Sequence, residues 1–168
     1  KKIIFLVRDP RDVVISLYFQ MKKRRDKFDG SLEDFIFRKK GSIDSIIKFY
    51  NIWKKNRGIP KDFLLIRYED MHKDTKKELD KTLKFIGLKV DDKLISEAVE
   101  FAKFDNMRKM EKKNKYNSSR LKPGEKNDIE SYKTRKGKVG GYKDYLSEKQ
   151  ICYINEKIKN KLSNFFEY

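Results

Sequence analysis

The stretch Lys2-Ile3-Ile4-Phe5-Leu6-Val7-Arg8-Asp9-Pro10-Arg11-Asp12-Val13-Val14-Ile15-Ser16 decides the fold. Lys2 to Val7 is a short, continuous apolar run, the pattern of a strand buried on both faces. Asp9 is a good N-cap, and Pro10 suits the first helical position, where its missing N–H has no partner to lose. Val13, Val14, Leu17, Tyr18 and Met21 then recur at helical spacing. The reading is strand, tight loop, helix. It repeats further on: Phe63-Leu64-Leu65-Ile66, after Pro60, reads as a second buried strand that enters Arg67-Tyr68-Glu69-Asp70. Strands alternating with helices predict an α/β layered domain with a parallel sheet.

The intervening and later segments read as helices. Ser31 caps a short helix through Phe37. Ile43, Ile46, Ile47, Tyr50 and Trp53 mark one face of a longer helix ending near Arg57-Gly58. Thr75-Lys76-Lys77-Glu78 is a capping-box sequence with Leu79, Leu83 and Ile86 inward and Gly87 at the close. Another helix runs from Asp92 to Phe101. Residues 108–133 are polar, charged and weakly periodic, and read as a long loop or lid. Ser147-Glu148-Lys149-Gln150 is a second capping box, opening a helix faced by Ile151, Ile154, Ile158, Leu162 and Phe165.

Composition bounds the partners. The 168 residues suit one domain, and 43 Lys and Arg against 26 Asp and Glu leave a formal charge of +17. Such a charge favours anionic partners, namely nucleic acid, acidic lipid or a phosphate- or sulfate-bearing small molecule; a solvated Lys-rich surface is the bland alternative. Cys152 is the sole cysteine, which excludes an internal disulfide and points to a reducing, cytoplasmic setting. His72 is the sole histidine and sits in a polar turn, so no metal site built on His or Cys is expected. No apolar run reaches membrane-span length, and no Walker-type phosphate loop is present.

Three places can carry chemistry. Arg8, just ahead of a helix N-terminus, can grip phosphate in a bidentate, charge-assisted way, with Ser16 adding a hydroxyl two turns on. An Arg–Asp surface network beside a Pro cap explains the same residues. Tyr68, at the C-terminal end of the second strand, sits where parallel sheets place ligands; it covers a base there or packs on the next helix. Glu69 and Asp70 read as a pair of catalytic acids or as residues that order a loop or cap a helix, with capping the favoured reading. Arg135-Lys136-Gly137 offers two cations and a glycine that lets backbone approach an anion.

Taken together and in order, these stretches resemble the sulfotransferase family that uses 3′-phosphoadenosine 5′-phosphosulfate (PAPS). The opening segment is similar to the family's 3′-phosphate segment, with Arg8 and Ser16 at the phosphate-binding positions. Leu65-Ile66-Arg67-Tyr68-Glu69-Asp70-Met71 resembles the strand whose Tyr borders the adenine. Phe104-Asp105-Asn106-Met107 falls where the family lines the nucleotide with Phe and Met. Arg135-Lys136-Gly137-Lys138-Val139-Gly140 resembles the C-terminal phosphate-binding motif, and the region from Gly41 to Arg57 looks most like bacterial-type members.

The resemblance implies a three-layer α/β sandwich with a central parallel sheet, like that of P-loop nucleotide kinases. It implies PAPS, or its product 3′-phosphoadenosine 5′-phosphate (PAP), as cofactor with no metal. Sulfuryl transfer would go to a hydroxyl or amine of a small-molecule or carbohydrate acceptor. It also places the 5′-phosphosulfate loop, with its first strand, its Lys and the usual catalytic His, before Lys1. The expectation is then that the chain carries the donor-gripping part without the chemistry. Gly141-Tyr142 departs from the Asp-Trp common in animal cytosolic members, and their dimerisation motif is not recognisable between Lys143 and Cys152. A non-enzymatic basic module for nucleic acid or acidic polymers, with contacts from Lys22 to Arg25 and Arg108 to Lys122, is the rival reading.

Overall fold

The computed structural model describes residues 1–168. β1 (Lys2–Val7) and β2 (Asp62–Arg67) form a two-stranded parallel sheet. Their register runs from Lys2 opposite Asp62 to Val7 opposite Arg67. Partners in a parallel ladder share a face, so Ile3, Phe5 and Val7 line up with Phe63 and Leu65 on the inner side. The crossover between them holds α1 (Pro10–Phe19), α2 (Leu32–Phe37) and α3 (Ile43–Lys55). After β2 follow α4 (Tyr68–Lys73), α5 (Thr75–Ile86), α6 (Asp92–Phe101), α7 (Phe104–Lys112) and α8 (Glu148–Lys161).

The core lies between the inner face of the sheet and α1, α3 and α8. Phe5 and Val7 join Val14, Ile15, Ile46 and Ile47 in one cluster, closed by Ile154, Ile158 and Phe166. Phe5 is at its centre, stacked on Trp53 at 5.3 Å and edge-on to Tyr50 at 5.8 Å. α4 and α5 pack against β2. Lys2, on the outer face of β1, donates its ammonium to the Phe85 carbonyl of α5 at 2.6 Å. Helices therefore flank both faces of the sheet, as a three-layer α/β arrangement requires.

Several boundaries follow the sequence closely and some do not. Ser31 and Ser147 each make a complete capping box, and α6 spans Asp92–Phe101 as expected. α5 is capped by Asp74, whose carboxylate accepts from Lys77 N, and not by Thr75, whose hydroxyl turns back to the Met71 carbonyl. Gly87 ends α5 at φ +90°, the left-handed conformation glycine adopts without strain. Ile86 faces solvent instead of the interior. The loop expected from Arg108 starts only after Lys112, because α7 carries Phe104, Met107 and Glu111 along one face. No helix is long and apolar enough to cross a membrane.

β1 is not buried on both faces. Ile4 and Leu6 are 42% and 53% exposed, whereas Ile66, opposite Leu6 on β2, is buried. The reason is lateral: α4 and α5 lie over β2, and the outer face of β1 receives no helix of its own. The two faces of this strand should therefore respond oppositely to truncation in the 168-residue chain. Phe5→Ala should cost about 3–5 kcal/mol and Leu6→Ala no more than about 1 kcal/mol, read from urea unfolding midpoints at constant m-value.

Candidate functional site

The site begins where β1 ends. Asp9 caps α1, accepting from Arg11 N at 2.9 Å, and this turn throws the Arg8 side chain across the C-terminal edge of the sheet. The Arg8 backbone is held by one phenol: Tyr50 accepts from Arg8 N at 3.0 Å and donates to Arg8 O at 2.8 Å. The Arg8 guanidinium lies 4.3 Å from the centre of the Tyr68 ring. It pairs with Asp12 at 3.0 Å and donates to the Lys138 carbonyl at 2.8 Å. Its Nε is buried and has no partner within the chain, a donor left over beside an already crowded guanidinium.

Asp12 brings in the other end of the chain. It is 3% exposed, and its carboxylate accepts from Gly140 N at 2.9 Å and Tyr142 N at 2.8 Å while also holding Arg8. This docks the segment that carries Arg135, Lys136 and Gly137 against α1. Gly137 has φ +57°, and a Cβ there would overlap the Phe104 ring, so both conformation and space demand glycine.

A cleft of about 390 Å³ results, and it gathers all eight residues singled out from the sequence. Arg8 and Ser16, from the start of the chain, line it together with Arg135, Lys136 and Gly137 from its end. Tyr68, Phe104 and Met107 supply apolar walls. Other lining residues were not foreseen. Phe19 and Gln20 lie three and four residues after Ser16, so helical spacing alone would have placed them on its face. Arg24 reaches the cleft from a π-helical turn over Gln20–Arg24, an irregularity with no sequence signature here. Glu130 and Tyr132 belong to the segment read as loop or lid.

The cations on the C-terminal side have acidic partners. Arg135 contacts Glu130 at 3.0 Å and the Tyr145 hydroxyl, with its guanidinium 4.3 Å from the Phe19 ring centre. Lys136 pairs with Asp144 at 2.8 Å. Hydrogen bonds from Lys136 and Lys138 hold the Asp144 carboxyl below its usual range, and the same contact raises the Lys136 ammonium. Burial pushes the Tyr68 phenol up. The pair between Lys136 and the exposed Asp144 is weak enough to be exchanged for an entering anion. The basic run before the cleft is engaged internally: Lys22 donates to the Gly30 carbonyl at 3.0 Å, Lys23 pairs with Asp128 at 2.9 Å, and Arg24 pairs with Glu111. His72 is exposed and contacts the Tyr68 ring without lining the cleft.

A cleft outside the C-terminal end of parallel strands, with cations from both ends of the chain and aromatic walls, is an arrangement suited to a phosphorylated ligand. Residues 1–166 match the family described as Sulfotransferase domain, and the chain belongs to that family. It is 30% identical over 176 residues to Sulfotransferase 1E1 of Bos taurus, covering 98% of this chain and 57% of that one. Cytosolic sulfotransferase 10 of Arabidopsis thaliana is 27% identical, with 96% of this chain and 50% of the relative covered. The chain thus spans about half the length of the relatives it matches.

Among solved structures, the fold matches retinol dehydratase in complex with androsterone and PAP at a TM-score of 0.74 and 22% identity, over 97% of this chain and 48% of that one. Mouse sulfotransferase SULT7A1 complexed with PAP gives 0.73 at 24% identity, over 95% and 58%. These likenesses establish the P-loop-like α/β fold.

Tyr50 offers a test of how the site is built. Burial pushes its phenol up to about 12. A raised folded-state pKa gives stability that is complete below the unfolded value near 10 and is lost as pH climbs through the folded one. Tyr50→Phe should cost about 1–3 kcal/mol at about pH 8, by removing both bonds to the Arg8 backbone. That gap should shrink as pH rises from about 10 to about 12. Urea unfolding of both proteins across this range checks it; a gap independent of pH would show that the phenol ionises freely.

Proposed function

We propose that this chain holds the donor nucleotide PAPS, and its product PAP, within a sulfotransferase that moves a sulfuryl group to an acceptor hydroxyl or amine. The observation that carries this reading is the meeting of Arg8 and Ser16, from the start of the chain, with Arg135, Lys136 and Gly137, from its end, in one cleft walled by Tyr68, Phe104 and Met107. The residues fit a nucleotide bisphosphate. Arg8, Arg135 and Lys136 supply charge, the Ser16 hydroxyl and the Gly137 amide supply donors, and the absence of a side chain at Gly137 lets the Phe104 ring pack against the loop. Tyr68 and Phe104 offer flat surfaces for a base.

Bound PAPS supplies an activated sulfuryl group. The chain's own residues fix its register and place positive charge beside the phosphate that leaves with negative charge. They do so by exchanging internal partners: Arg135 gives up Glu130, and Lys136 gives up Asp144. Acceptor activation is assigned to no residue of this chain, so we expect the 168 residues alone to bind nucleotide without turnover.

The acceptor is a small molecule or carbohydrate. Support for the former comes from relatives named for flavonol and luciferin and from structures solved with androsterone and retinol. The segment 108–133 borders the cleft through Glu130 and Tyr132, and it is our candidate for contacting that acceptor. A cytoplasmic location is proposed by analogy with the relative named cytosolic. Sequence-independent binding of nucleic acid or acidic polymers has no comparable support: within the basic run, Lys22 and Arg24 are tied to the Gly30 carbonyl and to Glu111.

Thermal denaturation tests the assignment. PAP at about 100 times its Kd should stabilise the chain by about 2.7 kcal/mol. 5′-AMP, which lacks the 3′-phosphate, should do little. Arg8→Ala and Arg135→Ala should each remove the PAP effect. Equal stabilisation by 5′-AMP and PAP would show that the cations do not read a 3′-phosphate.

A further inference from the structure

Glu111 is a buried carboxylate with more donors than any other in the chain and with no role so far. It lies on α7, and its side chain is 5% exposed. One oxygen accepts from Lys133 N at 2.7 Å and from Arg24 at 3.3 Å. The other accepts from Thr134 N at 2.9 Å and from the Thr134 hydroxyl at 2.7 Å. Arg24, whose side chain is 8% exposed, donates further to the carbonyls of Ser131 at 2.7 Å and Arg120 at 2.9 Å. The ion pair is thus a strap across both limbs of the segment leading to the cleft, and its last bond falls on the residue immediately before Arg135.

We infer that Glu111, charge-balanced by Arg24, is a positioning residue that sets the direction of Arg135, Lys136 and Gly137 and so the affinity of the cleft for a 3′-phosphorylated nucleotide. The proposal rests on the nucleotide reading above. Its chemistry is specific to an acceptor-only group. Two backbone N–H groups address two different oxygens of the same side chain, and an ionised carboxylate is acceptor-only at both. Glutamine has the same length but presents an NH₂ to one of those donors. Donor then faces donor, and Arg24 is left as a buried charge without its counter-charge. The backbone at residues 133 and 134 must rotate to escape this, and the rotation is carried into Arg135.

The test uses the 168-residue chain, with PAP as probe, in titration calorimetry and amide hydrogen exchange. Glu111→Gln should weaken PAP binding about tenfold or more, and Thr134→Val, which deletes a single donor and carries the test should Glu111→Gln not fold, should weaken it in the same direction by less. Ile154→Ala, in the core on α8, is the control for lost stability and should leave Kd within about twofold. In Glu111→Gln and Thr134→Val, exchange should speed at residues 131–137 and stay unchanged in α1 and α3. Unchanged protection at residues 131–137 in the folded variants overturns the proposal whether or not PAP binds. Equal loss of affinity in Ile154→Ala overturns it too. A parent chain that fails to bind PAP while those amides lose protection in the variants sinks the nucleotide reading and leaves the positioning of the loop standing.

Discussion

The carboxylate of Asp12 is the contact on which the site depends. A cleft assembled from residues 8 and 135 must bring together segments nearly a whole chain apart; Tyr142 and Leu146 anchor the later one in the core with Val14 and Ile15, but apolar packing is non-directional and does not set the orientation of the loop. Asp12 does it with directional bonds. It is buried, it accepts from the amides of Gly140 and Tyr142, and it keeps Arg8 as its counter-charge. A buried carboxylate without these donors would cost several kcal/mol; with two amides and a guanidinium its acceptor sites are met by good geometry. The closure is therefore all-or-none in character. Either both amides and the arginine are in place, or a charge is stranded.

The same contact sets the electrostatics of the cleft. Arg8 beside Asp12, Arg135 beside Glu130 and Lys136 beside Asp144 are three cations each with an internal anion. Unpaired cations packed this closely would repel and splay the loops that carry them. The acids offset that repulsion, and the pairs differ in how readily they open. Asp144 is exposed and its contact with Lys136 is worth little, so an entering anion replaces it easily. Asp12 is buried and committed to two amides, so its pair with Arg8 is the harder one to open.

How much of this was legible follows the physics of each residue. That Arg8, Ser16 and Tyr68 share one cleft was readable because a strand end and the helix that follows it fix where those side chains start. Gly137 came from the resemblance to the family motif, since two cations and a glycine in a Lys-rich chain say little by themselves; its physical reason, φ +57° with Phe104 against it, is visible only in the fold. The outer face of β1 was misread: a run such as Ile3-Ile4-Phe5-Leu6 records what a strand can bury, and the helices that cover it lie on β2. α7 was missed up to Lys112 because Phe104 and Met107 are set among charges that dilute any periodicity. Glu111 could not be found at all, since one acid in a polar run looks like solvated surface until its four donors are in place.

Asp12 and Glu111 together explain why the Arg135-Lys136-Gly137 segment needs no regular secondary structure. Glu111 accepts the amides of residues 133 and 134, and Asp12 accepts those of residues 140 and 142. The short loop between is clamped at both ends by buried carboxylates lying outside the cleft-facing stretch. A strand or helix in the same place would commit its own N–H groups to a ladder. Held this way, the loop is fixed in position while the Gly137 amide and two long cations stay directed at the cleft. The negative charges that do the holding cost the site little attraction for an anion, because each is neutralised by its amides and by an arginine, Arg8 or Arg24. An anion arriving between the clamps meets cations whose backbone is already set, so less ordering remains to oppose its binding.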